Sequence, residues 1–295
     1  MTKIKQDYGQ YNSHSKQLVT SLGKALEIVE RVEGEIVKKG LRYRKNSSVS
    51  ALFSSVKKLN VKLETMNDEE YKSTFLRFQN AIQIAQAIET AITEPNSKEA
   101  IKRVVTSDMD LYKRHHSQGK DFLWELDLFR RLKLGNVQVR FEEPDLVVYL
   151  GEALGDYAIA CKKTYSKNSV KTAFHAGLSQ LEKHEKPGVI AFNLDEFIPE
   201  GTIWQGRDSS SLESQLRGIN TAFLRENEML FRQADKMACC DGVIVSTSLV
   251  SDVLDLEYKI SLARSFAVLQ TNKGDLPTQR FRKFVEYLDR VITQD

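Results

Sequence analysis

The sequence predicts an α/β fold, an α+β arrangement built on a mixed sheet, preceded by an all-helical N-terminal part. Three observations carry this. Up to about Ser117 apolar residues recur at three-and-four spacing, with no strand-like alternation. After Gly119 short runs rich in β-branched and aromatic residues appear. The first of these follow one another closely and the later ones alternate with long helical patterns, as in a sheet that meanders and then crosses over. The expected division is a helical domain over residues 1–117 and a sheet-containing domain over 118–295, with the junction somewhere in 95–118.

The first helix is marked by Leu18, Val19, Leu22, Leu26, Val29 and Val32. Asn46-Ser47-Ser48 offers caps for a second, which carries Leu52, Phe53, Val56 and Leu59. A third follows Asn67-Asp68, with Phe75, Phe78, Ile82, Ala85, Ile88 and Ile92 on one face, and ends at Pro95-Asn96-Ser97. Three such amphipathic helices suit a bundle or an oligomer interface. Beyond Gly119 a polar-studded helix precedes strands at Val137 to Phe141, Leu146 to Leu150 and Tyr157 to Cys161. A helix after Ser166-Lys167-Asn168-Ser169 leads to strands at Val189 to Leu194, Val243 to Ser246 and Phe266 to Leu269.

With 41% hydrophobic and 28% charged residues in 295, the composition is that of an ordinary globular protein. A net charge of +3 does not announce a nucleic-acid binder, so a local basic patch is required. Lys38, Lys39, Arg42, Tyr43, Arg44 and Lys45 form one, with Lys57 and Lys58 following. Two readings stand: a phosphate grip on which Tyr43 stacks a base, or cations gathered at a helix C-terminus that Gly40 ends. Three cysteines, two of them adjacent, suggest no disulfide framework and point to a reducing cytoplasm. There is no C-x-x-C zinc pair, no apolar leader and no run of the ~20 apolar residues that a membrane span needs. A Gly-rich phosphate loop and a G-x-S-x-G elbow are missing too, and the adjacent His115 and His116 would point apart on a helix.

Four positions carry the chemistry. Glu125 falls on the inward stripe of Phe122, Leu126 and Phe129, where an acid must be neutral, paired or metal-bound. Asp127 lies off that stripe and reads as solvated. Asp145 follows Pro144, a residue suited to the first position of a strand. Ala158, Ala160 and Lys162 share one face of the next strand, and Lys163 takes the other. Gln180 lies with Ala173, Ala176, Gly177 and Leu181 on a small-residue helix face. Each has a plainer reading: a boundary salt bridge for Glu125, a Pro-Asp turn for Asp145, a strand-ending lysine for Lys162, a satisfied core amide for Gln180.

Order and spacing together say more than any one position. Residues 119–195, with Glu125, Pro144-Asp145, Ala160-Cys161-Lys162 and Gln180, resemble the PD-(D/E)-x-K nuclease superfamily, and the likeness extends through the strands to about residue 271. The resemblance implies a restriction-endonuclease-like core that cuts phosphodiester bonds in DNA, in preference to RNA. It implies Mg²⁺ or Mn²⁺ held by Glu125 and Asp145, water activation by Lys162 and support from Gln180. Arg42, Arg44, Lys45 and Lys163 are the expected nucleic-acid contacts. The setting it suggests is a restriction or anti-phage effector, a homo-oligomer with a partner protein of a defence system. The departure is Ala160, where the pattern has an acid. Three explanations stand open: an acid supplied from elsewhere, a natural pseudonuclease, or an introduced inactivating substitution. For the first, the second core helix offers only His175 near the expected turn and Glu182 near its end. The alternative function is a non-catalytic nucleic-acid-binding or assembly module, and a third is an oligomerisation scaffold built from the helices within residues 15–93.

Overall fold

The computed structural model describes residues 10–11, 22–41, 46–58, 67–206, 209–253 and 260–293. Four helices, α1 (Leu22–Lys38), α2 (Ser48–Lys58), α3 (Asp68–Ala91) and α4 (Lys98–Thr106), precede the sheet-bearing part. The capping signals read from sequence form. The Asn67 side chain accepts from the Glu69 and Glu70 amides, and the Glu70 carboxylate accepts in return from the Asn67 amide. Gly40 takes a φ of 66°, the left-handed conformation that lets the chain leave α1. Leu18, Val19 and Leu59 lie outside the described residues. α4 falls inside the stretch expected to be a junction. It buries Ala100, Ile101, Val104 and Val105, a pattern too short at nine residues to stand out in sequence.

Next come α5 (Gln118–Leu134), β2 (Val139–Glu142), β3 (Asp145–Tyr149), β4 (Asp156–Lys163), α6 (Val170–Lys183) and β5 (Gly188–Asn193). β6 (Ile203–Gly206), α7 (Ser209–Glu226), α8 (Glu228–Phe231), β7 (Cys240–Val253), β8 (Ile260–Gln270) and α9 (Asp275–Thr293) complete the chain. A two-residue strand, β1 (Gln10–Tyr11), pairs with β8. The result is an α/β fold on a mixed sheet, ordered β1-β8-β7-β5-β4-β3-β2, with β6 also pairing β7. β2, β3 and β4 form the antiparallel meander; β4, β5 and β7 run parallel; β8 returns antiparallel. α6 makes the crossover from β4 to β5, and it packs closely because a side chain at Gly177 would meet Ile190 at 3.0 Å. Ala176, expected on that face, is exposed; Phe174, Gly177, Leu178 and Leu181 are buried in its place.

β7 and β8 run well past the expected four-residue cores. Their polar residues disguised them: Ser246, Thr247, Ser251 and Arg264 are all buried, each at or below 1% exposure. Internal partners make this tolerable, such as Asn220, whose side-chain carbonyl accepts from the Thr247 hydroxyl at 2.6 Å. A single apolar cluster runs from α1–α4 through α5 onto one face of the sheet, so the parts on either side of residue 117 share a core. A second cluster lies under α6, on the opposite face of β4. α5 is the pivot, enclosed by α3 and α4 on one side and the sheet on the other. Leu123, Trp124, Leu126, Leu128, Phe129 and Leu132 are buried all round it. No helix among the described residues is long and apolar enough to cross a membrane.

Candidate active site

β3 begins at Asp145, directly after Pro144, so its carboxylate sits at the mouth of the strand. Its Oδ2 accepts from the Cys161 amide at 2.6 Å and lies 3.6 Å from Lys162 Nζ. Both side chains are nearly withdrawn from water, at 13% and 14% exposure. Lys162 also donates to the Cys161 carbonyl, at 2.8 Å. Burial pushes the Asp145 carboxyl up to about 6, against the pull of Lys162 and the Cys161 amide. Glu125, from α5, belongs to the same group. Its carboxyl stands well above the usual range because burial disfavours its charge and because Asp145 lies close by, with Lys162 opposing. Three charged residues expected to act together are thus brought together from a helix and two strands.

Negative charge is in excess here. Glu125 also feels Asp121 and Glu143, with Lys162 opposing, while Asp121 is itself drawn down by His116, Lys163 and Lys162. Asp121 was not singled out in the sequence, although it lies four residues before Glu125, one turn along the same helix face. It accepts from the Tyr165 hydroxyl at 2.6 Å and pairs with His116 at 3.4 Å, and burial raises its carboxyl. Such a surplus of carboxylates is relieved by a cation. Among the described residues no three His, Cys, Asp or Glu side chains gather tightly enough to hold a metal by themselves. Two carboxylates do suit a Mg²⁺ ion, which keeps several of its waters.

The remaining candidates fall in different places. Ala160 is fully buried within the apolar cluster that contains Phe174, Leu178 and Leu181. No acid from α6 takes its place, since His175 and Glu182 are both exposed. Gln180 keeps a buried side-chain oxygen without a hydrogen-bond partner. Lys163 turns away from the site, as alternation requires, but it does not reach out towards nucleic acid. Its side chain is 6% exposed, donates to Asn193 Oδ1 at 2.6 Å and lies 3.6 Å from Glu196. Arg42, Arg44 and Lys45 lie outside the described residues, as does Tyr43. Lys38 and Lys57, at the edge of that basic run, are held by Glu35 and Glu33.

Behind Lys163 is a charge network that sequence reading missed. Asp127 is buried at 1% exposure, not solvated. It pairs with Arg264 at 2.7 Å and with Arg131 at 3.3 Å, and Arg264 lies over the Trp124 ring. Burial works against its charge, but Arg264 and Arg131 outweigh that and hold the carboxyl below its ordinary value. Lys120 joins Glu196 at 3.3 Å and donates to the carbonyls of Lys113 and His115. The one hint in the sequence was the spread of charges over α5, where Lys120, Asp127 and Arg131 lie among apolar residues that the fold buries all round the helix. No protein-family model, curated protein or solved structure matches the chain.

Proposed function

We propose that this protein hydrolyses phosphodiester bonds in DNA, with a divalent metal, as a nuclease of the PD-(D/E)-x-K type. One observation supports the reading above the others. Glu125, Asp145 and Lys162 converge from three elements on one largely buried site where the carboxylates near Lys162 outnumber it. Perturbed acids beside a lysine are a frequent sign of chemistry, because a folding core has no use for uncompensated charge. In this reading Glu125 and Asp145 supply hard oxygen ligands. Lys162 stands where it can stabilise charge on a phosphate oxygen or pass a proton. Gln180 holds its unpartnered oxygen for the attacking water. A bound Mg²⁺ supplies the Lewis acidity and the lowered water pKa. A role as a restriction or anti-phage effector belongs to the same proposal.

The test is cleavage of plasmid, single-stranded DNA and RNA with Mg²⁺ or Mn²⁺. Asp145→Ala and Lys162→Ala are each expected to lower the rate by about 10²–10³, the scale set by single electrostatic groups in active sites. Undiminished cleavage by both variants would overturn the assignment. The burial of Ala160 in an apolar cluster favours a second reading, a module that binds nucleic acid without cutting it. That reading expects no cleavage by this chain or by its Ala160→Glu variant, and gel-shift affinity that falls steeply with salt.

A further inference from the structure

We propose that His116 is the general acid of the cleavage, the group that gives a proton to the oxygen leaving phosphorus. The inference rests on the nuclease reading above and fills a gap in it. Hydrolysis of a phosphodiester releases an alkoxide, which departs readily only when a proton reaches it. Glu125, Asp145, Lys162 and Gln180 are assigned there to the metal, the phosphate and the attacking water, and none of them serves the leaving oxygen.

Two adjacent histidines stand in the segment between α4 and α5, and they meet different acids. His115 Nε2 lies 3.0 Å from Asp108, which is hydrogen-bonded to Ser48 of α2. His116 turns to α5, with Nε2 3.4 Å from Asp121 Oδ2. Its side chain is 66% exposed and open to a ligand from solvent. With Nε2 against the carboxylate, Nδ1 has no partner among the described residues. The carboxylate is itself fixed. The Tyr165 hydroxyl lies 2.6 Å from Asp121 Oδ1 and 3.1 Å from the Ser117 carbonyl oxygen, so one group steadies both Asp121 and the chain beside His116. The rings of Tyr165 and His116 pack with centroids 4.8 Å apart. An imidazole oriented by a carboxylate, which a third group holds in place, is the arrangement in which proteins keep a histidine for proton transfer.

Both arms of the carboxylate site lead to this dyad. On α5, Asp121 is one turn before Glu125 on the same face, a separation of about 5–6 Å between Cβ atoms. On the other arm, Tyr165 follows Lys162 by three residues, just past the end of β4. Glu125 feels the charge of Asp121, and Asp121 feels that of Lys162. In the step itself, the water oxygen bonds to phosphorus as the bond from phosphorus to the leaving oxygen breaks. The electron pair stays on that oxygen, which takes the proton from Nδ1 of the His116 imidazolium. The proton of the water passes to solvent, and solvent reprotonates the imidazole.

The test compares cleavage of ordinary single-stranded DNA with cleavage of a strand in which sulfur replaces the leaving bridging oxygen, both with Mn²⁺ and the full chain. A thiolate departs without a proton, so the sulfur strand makes no demand on a general acid. His116→Ala, a change at an exposed position, is expected to slow cleavage of the oxygen strand by about 10²-fold or more. Its cleavage of the sulfur strand is expected to match that of the unsubstituted chain. His115→Ala, at the histidine that meets Asp108, is expected to leave both rates unchanged. Undiminished cleavage of ordinary DNA by His116→Ala would overturn the general acid and leave the nuclease reading standing. An equal loss on both strands would do the same, since it marks a structural role. Cleavage of neither strand by the unsubstituted chain would overturn the nuclease reading, and the general acid with it.

Discussion

Lys162 and Lys163 are neighbours on one strand, yet the environments on the two faces of β4 differ in kind. Lys163 enters a packed network in which Lys120, Arg114, Arg131 and Arg264 meet Glu196, Asp195 and Asp127. There the acids are held low: burial opposes the charge of Asp127 and Asp195, and the cations outweigh it. Lys162 meets Asp145, with Glu125 and Glu143 close by, and there Asp145 and Glu125 are pushed up; Asp121, raised by its burial, lies between the two lysines and feels both. The direction in which the carboxyls move separates the two regions better than burial does. A compensated network holds structure together; an uncompensated one holds free energy that a bound cation can release.

The sharpest way to break this contrast is to remove the centre of the compensated side. Asp127→Ala takes from the buried Arg264 its 2.7 Å carboxylate and from Arg131 a second contact. Stripping one partner from a buried pair costs about 3–5 kcal/mol, because the remaining charge stays desolvated. Urea unfolding would read the loss directly. A cost under about 1 kcal/mol would mean that the arginines find water, and that the network is not the closed structural unit described above.

Much of the lysine side was legible in the sequence and much of the other was not, for physical reasons. Proline at a strand start and strict alternation fix the positions of Asp145 and Lys162 locally, so pattern reading reaches them. The Asp127 environment depends on α5 being covered from both sides, a fact of tertiary packing that one helix stripe cannot reveal. Arg264 hid β8 in the same way, since a charge in the middle of a run argues against a buried strand unless its partner is known. Ser246, Thr247 and Ser251 did so for β7. The helical elements before residue 95 followed from helical periodicity with cap and turn residues, and the order helix, three strands, helix, strand from β-rich runs between helical patterns.

A smaller effect, of opposite sign, sharpens the other half. The Asp145 carboxyl rises from 3.8 to about 6 on folding, so the folded state prefers the neutral acid. Stability from that preference is complete below pH ~4 and is lost as pH climbs through about 6. Asp145→Asn, neutral at every pH, is therefore expected to be more stable than the unsubstituted chain near pH 7. The expected gain is about 1–3 kcal/mol, since each tenfold change in proton affinity is worth about 1.4 kcal/mol. The gap should close below pH ~4. Unfolding free energies of both proteins across this range decide it. A variant less stable at pH 7 would mean that the contacts to Lys162 and the Cys161 amide outweigh burial, and the site would belong with the compensated side.

The smallest effect provides the baseline for both. Arg103 meets Glu99 at 2.7 Å on α4, the same separation as Arg264 and Asp127. The residue types differ by one methylene, and the geometry is equally close. Water makes the difference: the Arg103 and Glu99 side chains are 46% and 55% exposed, those of Arg264 and Asp127 1% and 2%. Arg103→Ala returns Glu99 to solvent at almost no cost, and the lost pair, with its contact to Gln118 at 3.1 Å, is worth less than about 1 kcal/mol. That loss should shrink further in high salt, while the Asp127→Ala loss should not, since a Debye layer cannot form inside the core. Unfolding of both variants at low and high salt tests this. A salt-insensitive cost above about 2 kcal/mol for Arg103→Ala would show that distance, rather than desolvation, sets the energy of these pairs, and the contrast between the two faces of β4 would lose its physical basis.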